Sequence, residues 1–317
     1  RQIAEAAWEC ADPGIQFSST INRWHTAPNA GPINASNPCS EYLHLDNSAC
    51  NLASLNLLEF LDTEDDDRFD LEGFSHAVRI VFIAQDILVG NADYPTEPIA
   101  QTSRDFRQLG LGYTNLGAML MALGLPYDSE QARAWTGAVT ALMSGNAYAT
   151  SVDLAQRVGA FAGYISNSKA MQQVLGSHRE ALQSVSKSAP RDLMAAAEKS
   201  WDDAVTGCQQ HGIRNSQATV IAPTGTISFM MDCDTTGIEP DLGLIKFKKL
   251  VGGGDLTIVN NTVGRALRRL GYEAAQITDI ENHLLDGGGS TNAPHLRESD
   301  LPVFACSMGD NVIHHEG

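Results

Sequence analysis

The stretch Gln217-Ala218-Thr219-Val220-Ile221 runs into Ala222-Pro223-Thr224-Gly225-Thr226 and decides the fold class. It has the pattern of a strand followed by a loop, and Ile227–Met230 then has the pattern of a helix start. Upstream, residues 51–57 alternate polar and apolar side chains as a strand does. Helical patterns fill the space between these two strands and are expected at 71–90, 111–123, 129–157 and 190–207. Strands separated by long helical stretches indicate an α/β fold.

Some local signals refine this prediction. In the helix at 71–90, one apolar side is predicted, formed by Phe74, Val78, Val81, Phe82 and Leu88. Asp128 followed by Gln131 predicts a capping box at the start of the helix over 129–157. Residues 15–60 are expected to be loop and strand, with turns crowded into 26–40. A last strand is predicted at 303–306.

Composition excludes several classes of function. The chain has 317 residues, of which 43% are hydrophobic, enough to bury the core of one large domain or two ordinary ones. Its 21 Lys and Arg against 38 Asp and Glu give a net charge of −17, which disfavours binding to nucleic acid through a broad basic face. No apolar run approaches the roughly 20 residues that a membrane helix needs, and no signal peptide opens the chain. We therefore expect no nucleic-acid partner and no membrane.

The cysteines point to a reducing compartment. They are scattered, without a CxxC pair and without Cys/His spacing for zinc, so no metal site is expected and a cytoplasmic location is favoured. The chain starts without Met and stops shortly after a strand-like stretch. Both ends predict that it is an internal part of a longer protein.

The segment Asn34-Ala35-Ser36-Asn37-Pro38-Cys39-Ser40-Glu41-Tyr42 concentrates reactive groups around a proline. Pro38 stiffens the backbone and favours extended geometry at Asn37, which predicts Cys39 at the tip of a turn between Asn37 and Glu41. Further on, Cys50 opens the predicted strand. For either cysteine taken alone, the competing interpretation is a small buried core residue.

These blocks, in this order, resemble the ribonucleotide reductases. The Asn-Pro-Cys-Ser-Glu segment and the strand after Cys50 are similar to the finger loop and the following barrel strand of that family. The resemblance covers most of the chain and continues through Arg107-Gln108-Leu109-Gly110-Leu111-Gly112-Tyr113, His211–Gln217, Ala222–Ser228, and Asp232–Pro240 leading to Lys246-Phe247-Lys248-Lys249.

The resemblance implies a ten-stranded α/β barrel with a central finger loop. Residues 1–317 would form part of the catalytic barrel domain, with the finger loop at 28–50 and a phosphate-binding strand, loop and helix at 217–230. The N- and C-terminal parts of the parent enzyme would lie outside the chain.

The resemblance also implies a role for each residue of the loop. Cys39 would carry the thiyl radical that removes the 3′-hydrogen of a ribonucleotide. Glu41 would be the general base on the 3′-OH, and Asn37 would be a catalytic residue that hydrogen-bonds the ribose hydroxyls and orients them. Ser36 would bind the substrate. Cys50 would be one half of a dithiol, and its partner would lie N-terminal to this chain. Cys10 is a poor substitute, and Cys208, Cys233 and Cys306 are expected to pack in the interior.

The loop after the strand at 217–221 has two interpretations. By resemblance, Thr224, Gly225, Thr226 and Ile227 would bind the substrate phosphates through backbone N–H groups and two hydroxyls at a helix N-terminus. On local sequence alone, an ordinary strand-to-helix turn with a threonine cap is the competing interpretation.

The class of reductase decides the cofactor and the partners. The segments around Cys39 and Cys233 look most like the class that uses adenosylcobalamin (vitamin B12). The alternatives are the large subunit of the di-iron class and an inactive nucleotide-binding fragment. The expected substrate is a ribonucleoside diphosphate, reduced for DNA precursor synthesis. The expected partners are a thioredoxin-like or other dithiol reductant and, in the parent enzyme, a second copy forming a homodimer.

Overall fold

The computed structural model describes residues 1–62, 68–185, 187–249 and 255–317. Within them the α-helices are α1 (Gln2–Cys10), α2 (Ser18–Arg23), α3 (Leu71–Asn91), α4 (Glu97–Phe106), α5 (Leu116–Ala122), α6 (Glu130–Val158), α7 (Tyr164–Ala181), α8 (Arg191–His211), α9 (Gly225–Met230), α10 (Val263–Arg269) and α11 (Ala274–Leu285). The strands are β1 (Leu52–Asn56), β2 (Leu61–Asp62), β3 (Arg68–Phe69), β4 (Gly110–Thr114), β5 (Ile245–Lys249) and β6 (Asp255–Val259).

The site rests on three parallel stretches of backbone. β1 pairs with β4 in parallel, Leu52 opposite Gly110. Residues 217–220 run along the other edge of β4, where the Leu111 N–H donates to the Ala218 carbonyl at 2.9 Å and the Val220 N–H donates to the Leu111 carbonyl at 3.0 Å. The strand predicted at 51–57 is confirmed as β1, whereas in the segment predicted as a strand at 217–221 only Thr219 makes a strand bridge, with Leu111.

Gly112 permits the close approach of these backbones. A Cβ added at this position would lie 2.6 Å from the Val220 carbonyl oxygen, a distance that real Cβ atoms essentially never show. Any other residue would push the 217–220 segment away from β4.

Long helices cover the strands and form the main core. α6 packs along α8 and against α3, and their buried side chains include Phe74, Phe82, Leu142 and Trp201. The helices predicted at 71–90, 129–157 and 190–207 are confirmed as α3, α6 and α8, although α8 continues to His211.

The helix predicted at 111–123 is wrong over its first turn. Residues 110–114 form β4, and the helix α5 begins only at Leu116. All five residues of β4 are buried, so their sequence lacks the alternation of a half-exposed strand and cannot be distinguished from a buried helix by periodicity.

The predicted capping box at Asp128 is also wrong. The cap of α6 is Ser129, whose side chain accepts from the Ala132 N–H at 3.0 Å. The Asp128 carboxylate instead accepts from Arg133 at 2.8 Å. Serine caps a helix as well as aspartate does, and the actual cap lies one residue after the predicted one.

Three further local predictions need correction. Leu88 is 57% exposed and lies off the buried side of α3. Residues 18–23 form α2 inside a region expected to be loop and strand. Val303 and Phe304 end a 3-10 helix, Glu298–Phe304, which contains Pro302, where a strand was predicted. Only Cys306 makes a strand-like bridge there, with Val312.

One described helix could cross a membrane by length and composition, contrary to the sequence-based expectation. An 18-residue window of α3 has a mean hydropathy of 1.3. The core helix of a soluble protein passes the same test, and α3 contributes Phe74, Val78 and Phe82 to the main core. The observation is weak evidence for a membrane span.

The described residues combine helices with few strands and contain no closed barrel. The strands occur as three pairs, of which β1 with β4 is parallel and the other two, β2 with β3 and β5 with β6, are antiparallel. A second core cluster joins α10 and α11 to residues 293–306. The ten-stranded arrangement therefore stays a prediction.

Candidate active site

A tight hairpin carries the reactive segment. Ser36 and Leu43 form an antiparallel bridge, and the Asn37 N–H donates to the Tyr42 carbonyl at 3.2 Å. The Ser40 N–H closes the turn by donating to the Asn37 carbonyl at 3.0 Å. Cys39 lies exposed at the tip, as the sequence predicts.

The side chain of Asn37 organises this turn. Its Oδ1 accepts from the Tyr42 N–H at 2.8 Å, and its Nδ2 donates to Oε2 of Glu41. The Glu41 carboxylate is therefore oriented by a residue four positions earlier. Cys39, Asn37 and Glu41 are held on one short piece of backbone.

Glu41 faces the loop that follows the segment 217–220. A cleft of about 290 Å³ is lined by Glu41, by residues 52–54 of β1 and by residues 222–227. Glu41 also lines a second cleft of about 370 Å³, together with Trp24 and Tyr148. Asn37 and Cys39 are not among the described lining residues of either cleft, so only Glu41 of the predicted triad is shown to share a cavity with the 224–227 turn.

The four residues of the 224–227 turn differ in their exposure to solvent. Gly225, Thr226 and Ile227 are exposed at the start of α9. Thr224 is buried, and its hydroxyl bonds with Thr114 at 2.9 Å and Ser228 at 2.8 Å. Of the two threonine hydroxyls that were expected to be available at this turn, only that of Thr226 is exposed.

Tyr42 ties the hairpin to the strands. It is fully buried and clusters with Val220 and Ala222. Its ring stacks on His44 with a centroid distance of 4.5 Å, and burial raises its pKa well above the ordinary value. The hairpin is consequently fixed at its base while its tip stays open.

Cys50 lies just before β1, beside this hairpin. Its Sγ is 3.5 Å from Nε2 of His44. Burial, with a smaller contribution from the Glu41 carboxylate, raises the pKa of the Cys50 thiol. Glu41 thus influences the predicted redox cysteine electrostatically.

The comparison with known proteins agrees with the resemblance. A family model described as "Ribonucleotide reductase, barrel domain" matches residues 1–315. The chain belongs to this family.

Curated relatives extend this result. The chain is 53% identical over 307 residues to the vitamin B12-dependent ribonucleotide reductase of Rhodopirellula baltica, covering 97% of the chain and 29% of the relative. It is 52% identical to the protein of that name from Streptomyces clavuligerus, covering 99% of the chain and 33% of the relative. The vitamin B12-dependent ribonucleoside-diphosphate reductase of Mycobacterium tuberculosis is 32% identical over 295 residues, 93% of the chain and 36% of the relative. The chain spans about a third of the length of these relatives.

The other cysteines of this ribonucleotide reductase chain are poor candidates for thiol chemistry. Cys208 and Cys306 are buried as predicted, whereas Cys233 is half-buried. Burial raises the pKa of Cys233 to about 11 and that of Cys306 to about 12. Cys10 is the last residue of α1 and is exposed. Within the described part of the chain, no cluster of His, Cys, Asp or Glu could hold a metal ion.

Sequence reasoning missed several residues that support the loop. Gln16 donates to the Ser40 hydroxyl at 2.7 Å and to that of Ser36 at 3.3 Å. Gln108 accepts from the Leu45 N–H at 3.3 Å. Gln16 lies outside the segments that resemble the family, and nothing in its local pattern identifies it. Gln108 lies within one of these segments, but its hydrogen-bond partner is distant in sequence.

Proposed function

We propose that the protein carrying this chain reduces ribonucleotides, specifically ribonucleoside diphosphates, to 2′-deoxyribonucleotides by a thiyl-radical mechanism for DNA precursor synthesis. The observation that carries the proposal is the hairpin that places Cys39 at an open tip and orients Glu41 toward a cleft shared with residues 224–227. The family match and the names of the relatives support the same reaction.

Cys39 is proposed as the residue that removes the 3′-hydrogen. Its side chain is exposed, and it makes no hydrogen bond with the described residues that would hold the thiol in place. A thiyl radical at this position takes the hydrogen atom from the ribose and returns it later, so the cysteine is regenerated in each turnover.

Glu41 and Asn37 are proposed to act on the ribose hydroxyls. Glu41 lines the cleft and would take the proton of the 3′-OH, which requires it within hydrogen-bond reach of that group. Asn37 holds the carboxylate and would orient the hydroxyls. Ser36, whose hydroxyl donates to the Asn37 carbonyl at 2.9 Å, would complete the substrate contacts of the loop.

The phosphates are proposed to bind at the 224–227 turn. The N–H groups of Gly225, Thr226 and Ile227 are in the first turn of α9, where an α-helix leaves backbone donors without intrahelical partners. Thr226 adds an exposed hydroxyl, while buried Thr224 would shape the turn from behind. A nucleotide in the cleft would then extend from these donors toward Glu41.

Cys50 is proposed to supply electrons as the 2′-OH leaves as water. Together with a second cysteine it would form a disulfide, which a thioredoxin-like protein or another dithiol reductant would reduce again by exchange. Cys50 is exposed, and the Glu41 carboxylate is close enough to contribute to the raised pKa of its thiol. We further propose a cytoplasmic, homodimeric parent enzyme.

Adenosylcobalamin is the cofactor that we propose, because the relatives are named vitamin B12-dependent. The open position of Cys39 fits a thiol that has to meet a large group directly. When bound, the cofactor supplies the organic radical that starts the reaction. Cys39 would be the residue that meets its reactive end.

Two serine variants of the full-length protein test these roles. Cys39→Ser is expected to abolish both deoxynucleotide formation and the exchange of the cofactor's 5′-hydrogens with solvent. Cys50→Ser is expected to abolish dithiol-dependent turnover but to keep most of the exchange, since it removes electrons and not the radical. Both activities are measured on the same preparations.

The control is Cys10→Ser, which replaces an exposed cysteine at the end of α1 and should leave both activities unchanged. If Cys50→Ser lost the exchange while Cys39→Ser kept it, the two roles would be misassigned. Loss of turnover in Cys10→Ser would instead identify Cys10 as the dithiol partner.

A further inference from the structure

Cys50 has a histidine beside it to which the family resemblance assigns no role. Nε2 of His44 lies 3.5 Å from the Cys50 sulfur, within the range of a hydrogen bond to sulfur. On the opposite side of the ring, Nδ1 of His44 lies 2.6 Å from the Ser48 hydroxyl. Both nitrogens of the imidazole are therefore engaged by side chains of the same loop.

The hydrogen bonds of Ser48 determine the tautomer of His44. A serine hydroxyl has a single hydrogen. Ser48 directs it to an oxygen, either the Leu45 carbonyl at 2.5 Å or the Gln108 amide oxygen at 3.2 Å. Ser48 can then only accept from Nδ1–H of His44. This leaves the lone pair on Nε2, pointing at the Cys50 thiol.

The ring is also fixed in place. It stacks on Tyr42 at an angle of 27°, and Tyr42 is itself fully buried. Gln108 accepts from the Leu45 N–H as well as from Ser48, which ties both ends of this loop to the strand region. His44 needs little reorganisation to receive a proton from Cys50.

The surroundings of the pair keep both groups neutral at rest. Partial burial and the Glu41 carboxylate raise the pKa of Cys50, which keeps it a thiol. Burial lowers the pKa of His44, against an opposing effect of Asp46, so the imidazole stays unprotonated and keeps a free lone pair, although it is a weaker base than an exposed imidazole. A thiol with a raised pKa reacts slowly unless a neighbouring group takes its proton.

We propose that His44 accepts the Cys50 thiol proton through Nε2 whenever Cys50 reacts as a nucleophile. The proposal rests on the redox role proposed for Cys50. The S–H bond breaks, the proton moves to Nε2, and the electron pair stays on sulfur. In exchange with a disulfide, that pair forms the new S–S bond, and the electrons of the broken S–S bond leave with the departing thiolate.

The test measures the reactivity of Cys50 without turnover. The full-length protein, without nucleotide or cofactor, is treated with iodoacetamide over a range of pH, and alkylation of the Cys50 peptide is followed by mass spectrometry. His44→Gln is expected to slow this alkylation about tenfold at neutral pH, where the thiol needs a proton acceptor, and to leave it unchanged at pH values above the thiol pKa, where the thiolate forms without one.

Several controls separate a proton-transfer role from a structural one. Alkylation of Cys10 in the same samples should not change, and His76→Gln, an exposed histidine on α3, should leave the Cys50 profile unchanged. Ser48→Ala keeps the imidazole but frees Nδ1, so it should slow alkylation at neutral pH by less than His44→Gln does. Circular dichroism checks that each variant is folded.

A Cys50 profile that is the same in folded His44→Gln and in the unmodified protein would overturn the proposal. So would an equal slowing at every pH, because loss of a base must change the shape of the profile. Failure of the redox role would appear differently: Cys50→Ser would keep dithiol-dependent turnover, while the effect of His44 on alkylation would remain.

Discussion

Two carboxylate–carboxamide pairs in this chain contain the same chemical groups but have different roles. In the hairpin, Asn37 donates to Glu41 and accepts from a backbone N–H. In the interior, Asn215 donates to Asp86 at 2.8 Å and accepts from the Ser151 hydroxyl at 2.7 Å. Glu41 of the first pair lines a cleft, and both residues of the second pair are buried.

Two arginine side chains and an amide surround the Asp86 carboxylate of the buried pair. Arg107 Nε donates to Asp86 Oδ1 at 2.7 Å, and the Arg107 and Asp86 side chains are only 8% and 9% exposed. Arg214 lies 3.6 Å from the other carboxylate oxygen, an ionic contact beyond good hydrogen-bond distance. Asn215 also donates to the Arg107 carbonyl at 3.0 Å. This network joins α3 to the loops that flank β4 and the 217–220 segment.

The difference between the pairs lies in what surrounds each carboxylate. Oδ1 of Asp86 accepts from Arg107 and Asn215, and Oδ2 faces the Arg214 guanidinium, in a low-dielectric interior where these contacts fix backbone positions. Glu41 has one described side-chain donor and an open side toward the cleft. A carboxylate with an open side beside a cavity can take a proton, whereas one enclosed by two arginine side chains and an amide holds its neighbours in place.

The largest expected effect comes from breaking the buried pair. Asp86→Asn leaves the Arg107 charge buried without its counter-ion and should lower the free energy of unfolding by about 3–5 kcal/mol. Urea denaturation measures it. The matched control is Asp153→Asn, which removes the half-exposed ion pair with Arg79 and should cost no more than about 1 kcal/mol. Equal losses in the two variants would contradict the role assigned to burial.

Changing the Asn37–Glu41 pair is expected to have a smaller effect in energy than breaking the buried pair. This effect should appear in turnover. Glu41→Gln keeps an acceptor for Asn37 but cannot take a proton. Turnover of the full-length enzyme should fall about a hundredfold, the lower range for loss of a general base. The free energy of unfolding should change by less than about 0.5 kcal/mol. A large loss of stability with unchanged turnover would reverse the distinction between the two pairs.

The sequence predicts the elements with strong periodicity and misjudges those set by tertiary contacts. α8 carries an apolar face that shows the helical period, and its start follows from it, whereas the buried side chains of the long helix α6 are not confined to one face. β4 could not be found by this route, because burial on both sides removes the alternation. The pairing of β4 with the 217–220 segment depends on Gly112, whose meaning appears only when Val220 lies against it.

The candidate active site likewise combines features that the sequence predicts with features that depend on tertiary contacts. Pro38 and the residues around it define a turn locally, so the position of Cys39 follows from the sequence. Which hydroxyl of the 224–227 turn is available does not follow, since Thr224 is turned inward by partners from β4 and α9. His44 could be noticed only through its distance to Cys50.

A third carboxylate, Asp300, is intermediate between Asp86 and Glu41 in its surroundings. The smallest effect on stability is expected from its substitution. It accepts from the Tyr272 hydroxyl at 2.7 Å and from Arg297 Nε at 2.6 Å, but Arg297 is half exposed. Burial raises the pKa of Asp300, and the hydrogen bonds from Tyr272 and Arg297 outweigh that effect, so the pKa lies below its ordinary value.

The lowered pKa predicts how this contact responds to acid. A carboxylate with a folded-state pKa below its unfolded value of about 3.9 stabilises the fold above that pH and loses this contribution as pH falls through the folded pKa. Asp300→Asn should therefore be less stable than the unmodified protein at pH 7, by under about 1 kcal/mol because water screens the exposed Arg297. The gap should close below about pH 4. Unfolding free energies from pH 7 to 3 test this, and a gap that stayed constant over that range would show that Asp300 acts through packing and not through its charge.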